Sequence, residues 1–539
     1  MGFFSRKDRS SKIPPQKPSL TTSQSKVSID SGHSSVKSPS GTLSSRALNR
    51  SSAGTNHTSA PNTPLTPFSP HAIPKMELPK GPDPDLDPAG YLRSLGAVRE
   101  RCRLLTTKAI KNELRHFDVD MGKFPEVVSF VASIIRRDYD APFTSIPGHG
   151  RHQHFCVGGR DRIAHLLSTW DNIDNTEKCR RLIDLFLVSV LLDAGAGTEW
   201  SYKSTENGRI YRRSEGIAVA SLEMFKTGIF SGNKENKYQV DKEGLRQLTV
   251  EAMAKGLQSK EGNEMAGLEG RTQLLIRLAD ALDGNKEFFG DGRPGHMLDY
   301  LLSHPSTQAS SMPIVLLPTL WDVLMTGLAP IWPPSRTAIN GISLGDAWPC
   351  SSMPQPTASS GPSFSPFPNA RSGSAAWESI LPFHKLTQWL TYSLMQPMQQ
   401  LMKIHFAGQH LLTGLPEYRN GGLFVDLGVL TLKGEDMARG LEHYKNSCLK
   451  TGTRGVEVAP MFEPSDDVVV EWRGVTVGLL DRLCVDVNAA LRNELAGNEL
   501  SLPQLLEAGS WKGGREIAEI NRPNTKEPPI LIDSDGTVF

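Results

Sequence analysis

The sequence predicts a mainly α protein: one large helical domain with a few short β-strands, preceded by a disordered tail. Three observations carry this expectation. Apolar residues recur at helical spacing from about residue 88 onward, β-like runs are confined to three short stretches, and the first 85 residues are rich in Ser, Thr and Pro.

Residues 1–85 hold few large apolar side chains and cannot bury enough surface to offset the entropy of ordering, so a disordered tail is expected there. Ser38, Thr63, Thr66 and Ser69 each precede a proline and are candidate sites for proline-directed phosphorylation. Gly2 invites a lipidation reading, but Arg6 stands where that motif needs Ser or Thr. No secretory leader is expected, since the first residues hold no apolar run.

Residues 86–539 are expected to form the helical domain. Leu92, Leu95, Val98, Leu104, Leu105, Ala109 and Ile110 keep helical spacing, and Val127, Phe130, Val131, Ile134 and Ile135 repeat it after Pro125. Leu182 to Leu192 is apolar on nearly every side, which predicts a central buried helix ending near Gly195. Further helices are expected over 214–227, 240–257, 267–283, 294–303, 377–407, 472–496 and 511–520. The β-like runs are 423–432, 468–470 and 529–532. Residues 351–375 read as a flexible insertion, and 231–243 as a polar surface loop.

The net charge of +1 over 539 residues conceals a division. Residues 1–80 carry 11 basic and 3 acidic side chains, a surplus of +8, and the remainder carries 48 basic and 55 acidic, a balance of −7. That mildly acidic domain lacks the broad basic face that nucleic acid requires. The six cysteines are widely spaced with no CxxC pair, which argues against a zinc ribbon or disulfide scaffold and for a reduced compartment. The longest apolar runs are too short or too interrupted to span a bilayer. A cytoplasmic protein is expected, with the nucleus open as well, and with no membrane or nucleic-acid partner.

Polar islands between the helices are the candidate functional segments. In residues 416–426, PEYRNGGLFVD, the Glu417 and Asp426 carboxylates, Arg419 and Asn420 crowd around Gly421 and Gly422. Such a mixture suits anion binding and acid/base work, or a capped interhelical turn. In 147–162, Arg151, Arg160 and Arg162 among glycines suit a phosphate-like anion or an exposed basic loop. His149, His152 and His154 lack a neighbouring carboxylate, so no metal and no cofactor is expected.

Asp193 ends an apolar run in 191–202, where desolvation favours acid/base use, with Trp200 and Tyr202 able to enclose a ligand or fill the core. Residues 331–348 supply Trp332, Arg336, Asp346 and Trp348. His384, Gln388 and Tyr392 recur at every fourth position and lie along one helix face, either a cleft wall or a solvated surface. The end, ILIDSDGTVF, matches the aspartate-nucleophile motif of haloacid-dehalogenase-like phosphatases, but that fold places most of its sheet after the motif and this chain stops at Phe539.

Taken in order, YLRSLGAVRERC, HQHFCVGGRDR, LLDAGAGTEWSY, LEGRTQLLIRL, IWPPSR with LGDAW, PFHKLTQWLTYSL, LTGLPEYRNGGLFVDLGVL, VVVEWR and SDGTVF resemble the fungal and bacterial uracil-catabolism family known as domain of unknown function 1688. The likeness covers about residues 88–539 without the 351–375 insertion. It departs at GRHQH, where the family pattern has a tryptophan between basic residues, which leaves the roles of His152 and Gln153 open.

The resemblance implies a place in pyrimidine degradation through the uracil ribonucleotide, with a small nucleotide-derived substrate and the other pathway proteins as candidate partners. It further suggests a hydrolase cleaving the N-ribosidic bond of a ribosylurea-type intermediate to urea and a ribose phosphate. A distant likeness to helical queuosine-salvage hydrolases points the same way as a fold analogy. On that reading Asp193 and Asp426 stabilise the sugar cation or activate water, and Glu417 or Glu199 protonates the leaving nitrogen. Arg160, Arg336 and Arg419 hold phosphate, Trp200 or Trp348 covers the sugar, and His384, Gln388 and Asn420 complete the cleft. The alternatives are a non-catalytic pathway scaffold and a metal-dependent amidohydrolase using His149, His152 or His154.

Overall fold

The computed structural model describes residues 76–197, 199–356, 375–451 and 457–533. Most of the tail expected over 1–85 and of the insertion expected over 351–375 lies outside them, as do the last six residues. Chain contacts separate Met1–Leu65 from Thr66–Phe539, and only the second unit contains described residues.

The protein is mainly helical. The helix Asn175–Leu191 runs through the centre with an unbroken buried stretch from Leu182 to Leu191, and Asp174 caps its start by accepting from the Glu177 amide. It packs along Lys385–Met402, which is buried on most faces despite Pro397 in its interior. A second pair sets Asp467–Ala490 against Leu95–Ile110, and a third sets Tyr418–Asp426 against Trp511–Asn521. One large cluster of buried apolar side chains joins all three pairs.

Among the described residues every sheet has two strands. Phe117–Val119 pairs antiparallel with Leu430–Leu432, Ala347–Pro349 antiparallel with Ile380–Pro382, Ile314–Leu316 parallel with His405–Ala407, and Met461–Phe462 parallel with Leu531–Ile532. They act as clips that tie distant loops to the helical core.

Local structure departs from sequence periodicity at several points. The helix expected over 240–257 is two short helices, Lys242–Arg246 and Val250–Gly256, because Thr249 turns extended and caps the second with its hydroxyl. The run Val468–Val470 is helical, not β: Asp466 caps the start, and all three valines are wholly buried in the Asp467–Ala490 helix, so tertiary burial overrides β propensity. The long segment 377–407 divides into the strand Ile380–Pro382, the helix Lys385–Met402 and the strand His405–Ala407, separated by His384 and Lys403 at positive φ. Only Leu430–Leu432 of the β-like run 423–432 is a strand, since Tyr418–Asp426 is helical.

Gly514 lets the third helix pair meet at backbone distance: a Cβ there would overlap the Arg419 carbonyl group. The substitution Gly514→Ala is expected to cost about 2 kcal/mol or more of stability, read as a lowered midpoint in urea unfolding, because backbone and not a flexible side chain must give way.

Candidate active site

Where the ends of these helices meet, they leave a cleft whose empty space, about 580 Å³, includes open solvent. Asp193 stands just past the end of Asn175–Leu191, while Arg213, Ser214 and Glu215 come from the first turn of Arg213–Thr227. Lys385 and Trp389, four residues apart, project from one face of Lys385–Met402, and Trp511 and Arg515 do the same from Trp511–Asn521. Glu417, Tyr418 and Arg419 open the Tyr418–Asp426 helix, His149 precedes the short helix Arg151–Phe155, and His154 lies within it.

Burial sets the chemistry of this wall. Arg151 is fully buried, donating through Nη1 to Asp193 Oδ2 at 2.7 Å and through Nε to Ser189 Oγ at 2.8 Å. The Glu417 carboxylate caps its helix by accepting from the Arg419 amide at 2.9 Å and the Asn420 amide at 2.7 Å. Burial outweighs those bonds and the nearby Lys385 charge, raising the Glu417 carboxyl to about 7. The same burial lowers the Lys385 ammonium from its ordinary value, although Glu417 and Asp193 oppose the shift. Two acid/base groups in one cleft are thereby drawn toward neutrality.

The cleft's arginines are each tethered. Arg213 pairs with Glu527 at 3.0 Å, Arg515 with Glu215, and Arg419 donates to the Lys526 carbonyl at 3.1 Å. His149 Nδ1 lies 2.6 Å from Glu507, which sits on a π-helical turn, Leu506–Ser510, and its ring packs 4.6 Å from that of Trp389.

Of the expected site residues, Asp193, Glu417 and Arg419 therefore converge on one cleft. The others are not among its lining. Asp426 forms a two-point ion pair with Arg522, at 2.8 Å for the Nη1 contact, and Asn420 donates to the Leu415 carbonyl and accepts from Ser510. Arg160 is half-exposed and pairs with Glu206 at 2.8 Å. Trp200 fills the core and donates to the Leu257 carbonyl, Trp348 donates to Asp346, and Arg336 stacks over Trp348 at 4.9 Å. His384 bonds the Leu92 carbonyl, and Gln388 exchanges hydrogen bonds with Thr413, so both brace the base of their helix. Glu199 is exposed.

The residues that sequence reasoning did not place in a site are Arg213, Glu215, Lys385, Trp389, Trp511 and Arg515. Their signal was the spacing of four that sets Lys385 beside Trp389 and Trp511 beside Arg515, but nothing in the chain order aims those faces at one point. Of the three histidines, His149 and His154 line the cleft. His152 turns away to lie with Cys156 and Asp161, their ligand atoms within 4.8 Å of one another, the one such trio found among the described residues. Burial pushes the Cys156 thiol up to about 12, so it does not offer a ready thiolate.

A family model described as "Protein of unknown function (DUF1688)" matches residues 91–539. The chain is 43% identical over 461 residues to "Uracil catabolism protein 4" of Lachancea kluyveri, covering 84% of this chain and 99% of that protein. It is 44% identical over 450 residues to "Protein urg3" of Schizosaccharomyces pombe, covering 83% of this chain and 98% of the relative. Among the described residues no helix is long and apolar enough to cross a membrane.

The raised Glu417 carboxyl makes stability pH-dependent. Its folded value, about 7, lies above the ordinary 4.5, so the contribution is fully present below about pH 4.5 and is lost as pH rises through 7. Glu417→Gln is expected to flatten that part of the pH profile of unfolding, recovering about 3 kcal/mol at pH 8 relative to the native chain, less the weakened cap. Chemical denaturation of both proteins between pH 4.5 and 8 measures the difference.

Proposed function

This chain belongs to the DUF1688 family, and from that premise we propose that it acts in uracil catabolism, hydrolysing the N-ribosidic bond of a ribosylurea-type intermediate to urea and a ribose phosphate. The relative named for uracil catabolism supports the pathway. The observation that carries the reaction is the meeting, in one cleft, of a carboxyl held near neutrality with a second carboxylate and three arginines.

Breaking the bond between the anomeric carbon and the urea nitrogen leaves positive charge on the sugar and an electron pair on a poor leaving group. Glu417, protonated in a large fraction of molecules near pH 7, gives its proton to the departing nitrogen. Asp193, which Arg151 holds through Oδ2, stabilises the sugar cation and takes the proton of the incoming water. Water thus supplies the new hydroxyl at the anomeric carbon and the proton balance closes through solvent. Arg213, Arg419 and Arg515 suit the phosphate, since their tethers hold the guanidinium planes in place before the substrate arrives. Trp389 and Trp511 supply apolar cover for the sugar.

A scaffold whose polar islands scatter over its surface would not bring Asp193, Glu417 and Arg419 together. The purified protein is expected to release urea from ribosylurea phosphate with or without chelator, and absence of release defeats the hydrolase reading. Glu417→Gln is expected to lower kcat by about 10²–10⁴-fold. The acid role further requires kcat/KM to fall as pH rises above about 7.

A further inference from the structure

Lys385 lines the cleft, and hydrolysis of the ribosidic bond as derived above gives it no part. Its Nζ forms no hydrogen bond or ion pair among the described residues, whereas Arg213, Arg419 and Arg515 are each tethered. Glu417 and Asp193 are the carboxyl groups whose charges act on it most, and neither pairs with it. All three line the same space, so a small molecule in the cleft meets the amine and both carboxyl groups.

The backbone fixes where this amine starts. Lys385 opens the helix Lys385–Met402, and His384 before it takes a φ of 46°, a left-handed conformation that residues with side chains rarely adopt. The His384 ring bonds the Leu92 carbonyl at 2.7 Å, and the Asp346 carbonyl accepts from the His384 amide at 3.1 Å. The Asp346 carboxylate accepts from the Lys385 amide at 2.9 Å and is itself gripped by Arg473 through both oxygens, at 2.8 and 2.7 Å. Strain that surrounding structure holds this firmly clusters at functional sites.

Two effects favour the neutral amine over the ammonium. Burial is the larger, and the start of an 18-residue helix, where the macrodipole is positive, adds to it. An unpaired lysine in such surroundings is a nucleophile, and its natural electrophile is a carbonyl carbon. A sugar phosphate presents an aldehyde when its ring opens, and the three arginines of this cleft suit its phosphate.

We propose that Lys385 is a nucleophile that condenses with the aldehyde of an open-chain sugar phosphate to form an imine. This rests on reading the cleft as a sugar-phosphate site, and it adds a reaction with the released sugar. The amine's lone pair makes the C–N bond, while Glu417 gives a proton to the carbonyl oxygen and takes one from the nitrogen. A second such cycle expels that oxygen as water and leaves the C=N bond. Amine and aldehyde thus give imine and water, with no oxidant or reductant consumed, and water reverses the step.

Incubation of the full chain with ribose 5-phosphate and cyanoborohydride, followed by peptide mass mapping, tests this. The reductant fixes the imine as a secondary amine, so the expected adduct has the mass of the sugar phosphate less one oxygen. It is expected on Lys385, at a rate at least about tenfold above that of any exposed lysine. Ribitol 5-phosphate carries the same phosphate but no aldehyde, and is expected to form no adduct and to slow the labelling of Lys385. Absence of an adduct on Lys385, labelling spread evenly over exposed lysines, or labelling that ribitol 5-phosphate does not slow would overturn the proposal. Urea release from ribosylurea phosphate is read separately. Release without an adduct overturns the imine step alone, and an adduct without release defeats the hydrolase reading alone.

Discussion

The buried pair between Arg151 and Asp193 is the constraint on which the rest of the site depends. A guanidinium with no solvent contact is tolerable only if its charge is compensated close by, and Asp193 supplies that at 2.7 Å. To meet it, the end of the central helix and the start of Arg151–Phe155 must lie side by side. Ser189, one turn before Asp193, accepts from the same arginine, and Ser393 on the Lys385–Met402 helix accepts from its amide. A single residue, through its side chain and its amide, thus ties three elements beneath the cleft. Removing either partner of such a pair strands the other charge, a penalty of about 3–5 kcal/mol.

That arrangement also divides electrostatic labour. Asp193 is committed to Arg151 on one oxygen and buried without a partner on the other, while Glu417 is committed to two backbone amides yet held near neutrality by burial. The two carboxylates therefore differ in what they offer, although both face the same space. Around them the arginines are each paired or bonded, Arg213 and Arg419 from outside the cleft and Arg515 to Glu215 within its lining, which orders them.

Much was legible in the chain itself. The central buried helix followed from an apolar run that no amphipathic surface element tolerates, and the segment around Glu417 stood out because chemistry, more than packing, needs carboxylates, an arginine and two glycines together. Gly421 and Gly422 prove to be close-packing positions, where a Cβ would press on Trp472 and Pro529. Asp426, in the same segment, looked equivalent to Glu417 by composition. Its helix turns it to Arg522 instead, a direction that depends on where the Trp511–Asn521 helix and the segment after it dock.

The sequence by itself determined the helical class and the family and singled out Asp193, Glu417 and Arg419, which share one cleft, because periodicity, composition and ordered motifs are local properties. Only the tertiary structure decided that Lys385, Trp389, Trp511, Arg515 and Arg213 join them, and that Arg160, Trp200, His384 and Gln388 serve packing or surface pairing. Convergence is set by helix docking across hundreds of residues. Burial then determines which of several similar carboxyls or imidazoles is pushed from its ordinary protonation, and burial is a property of the assembled core.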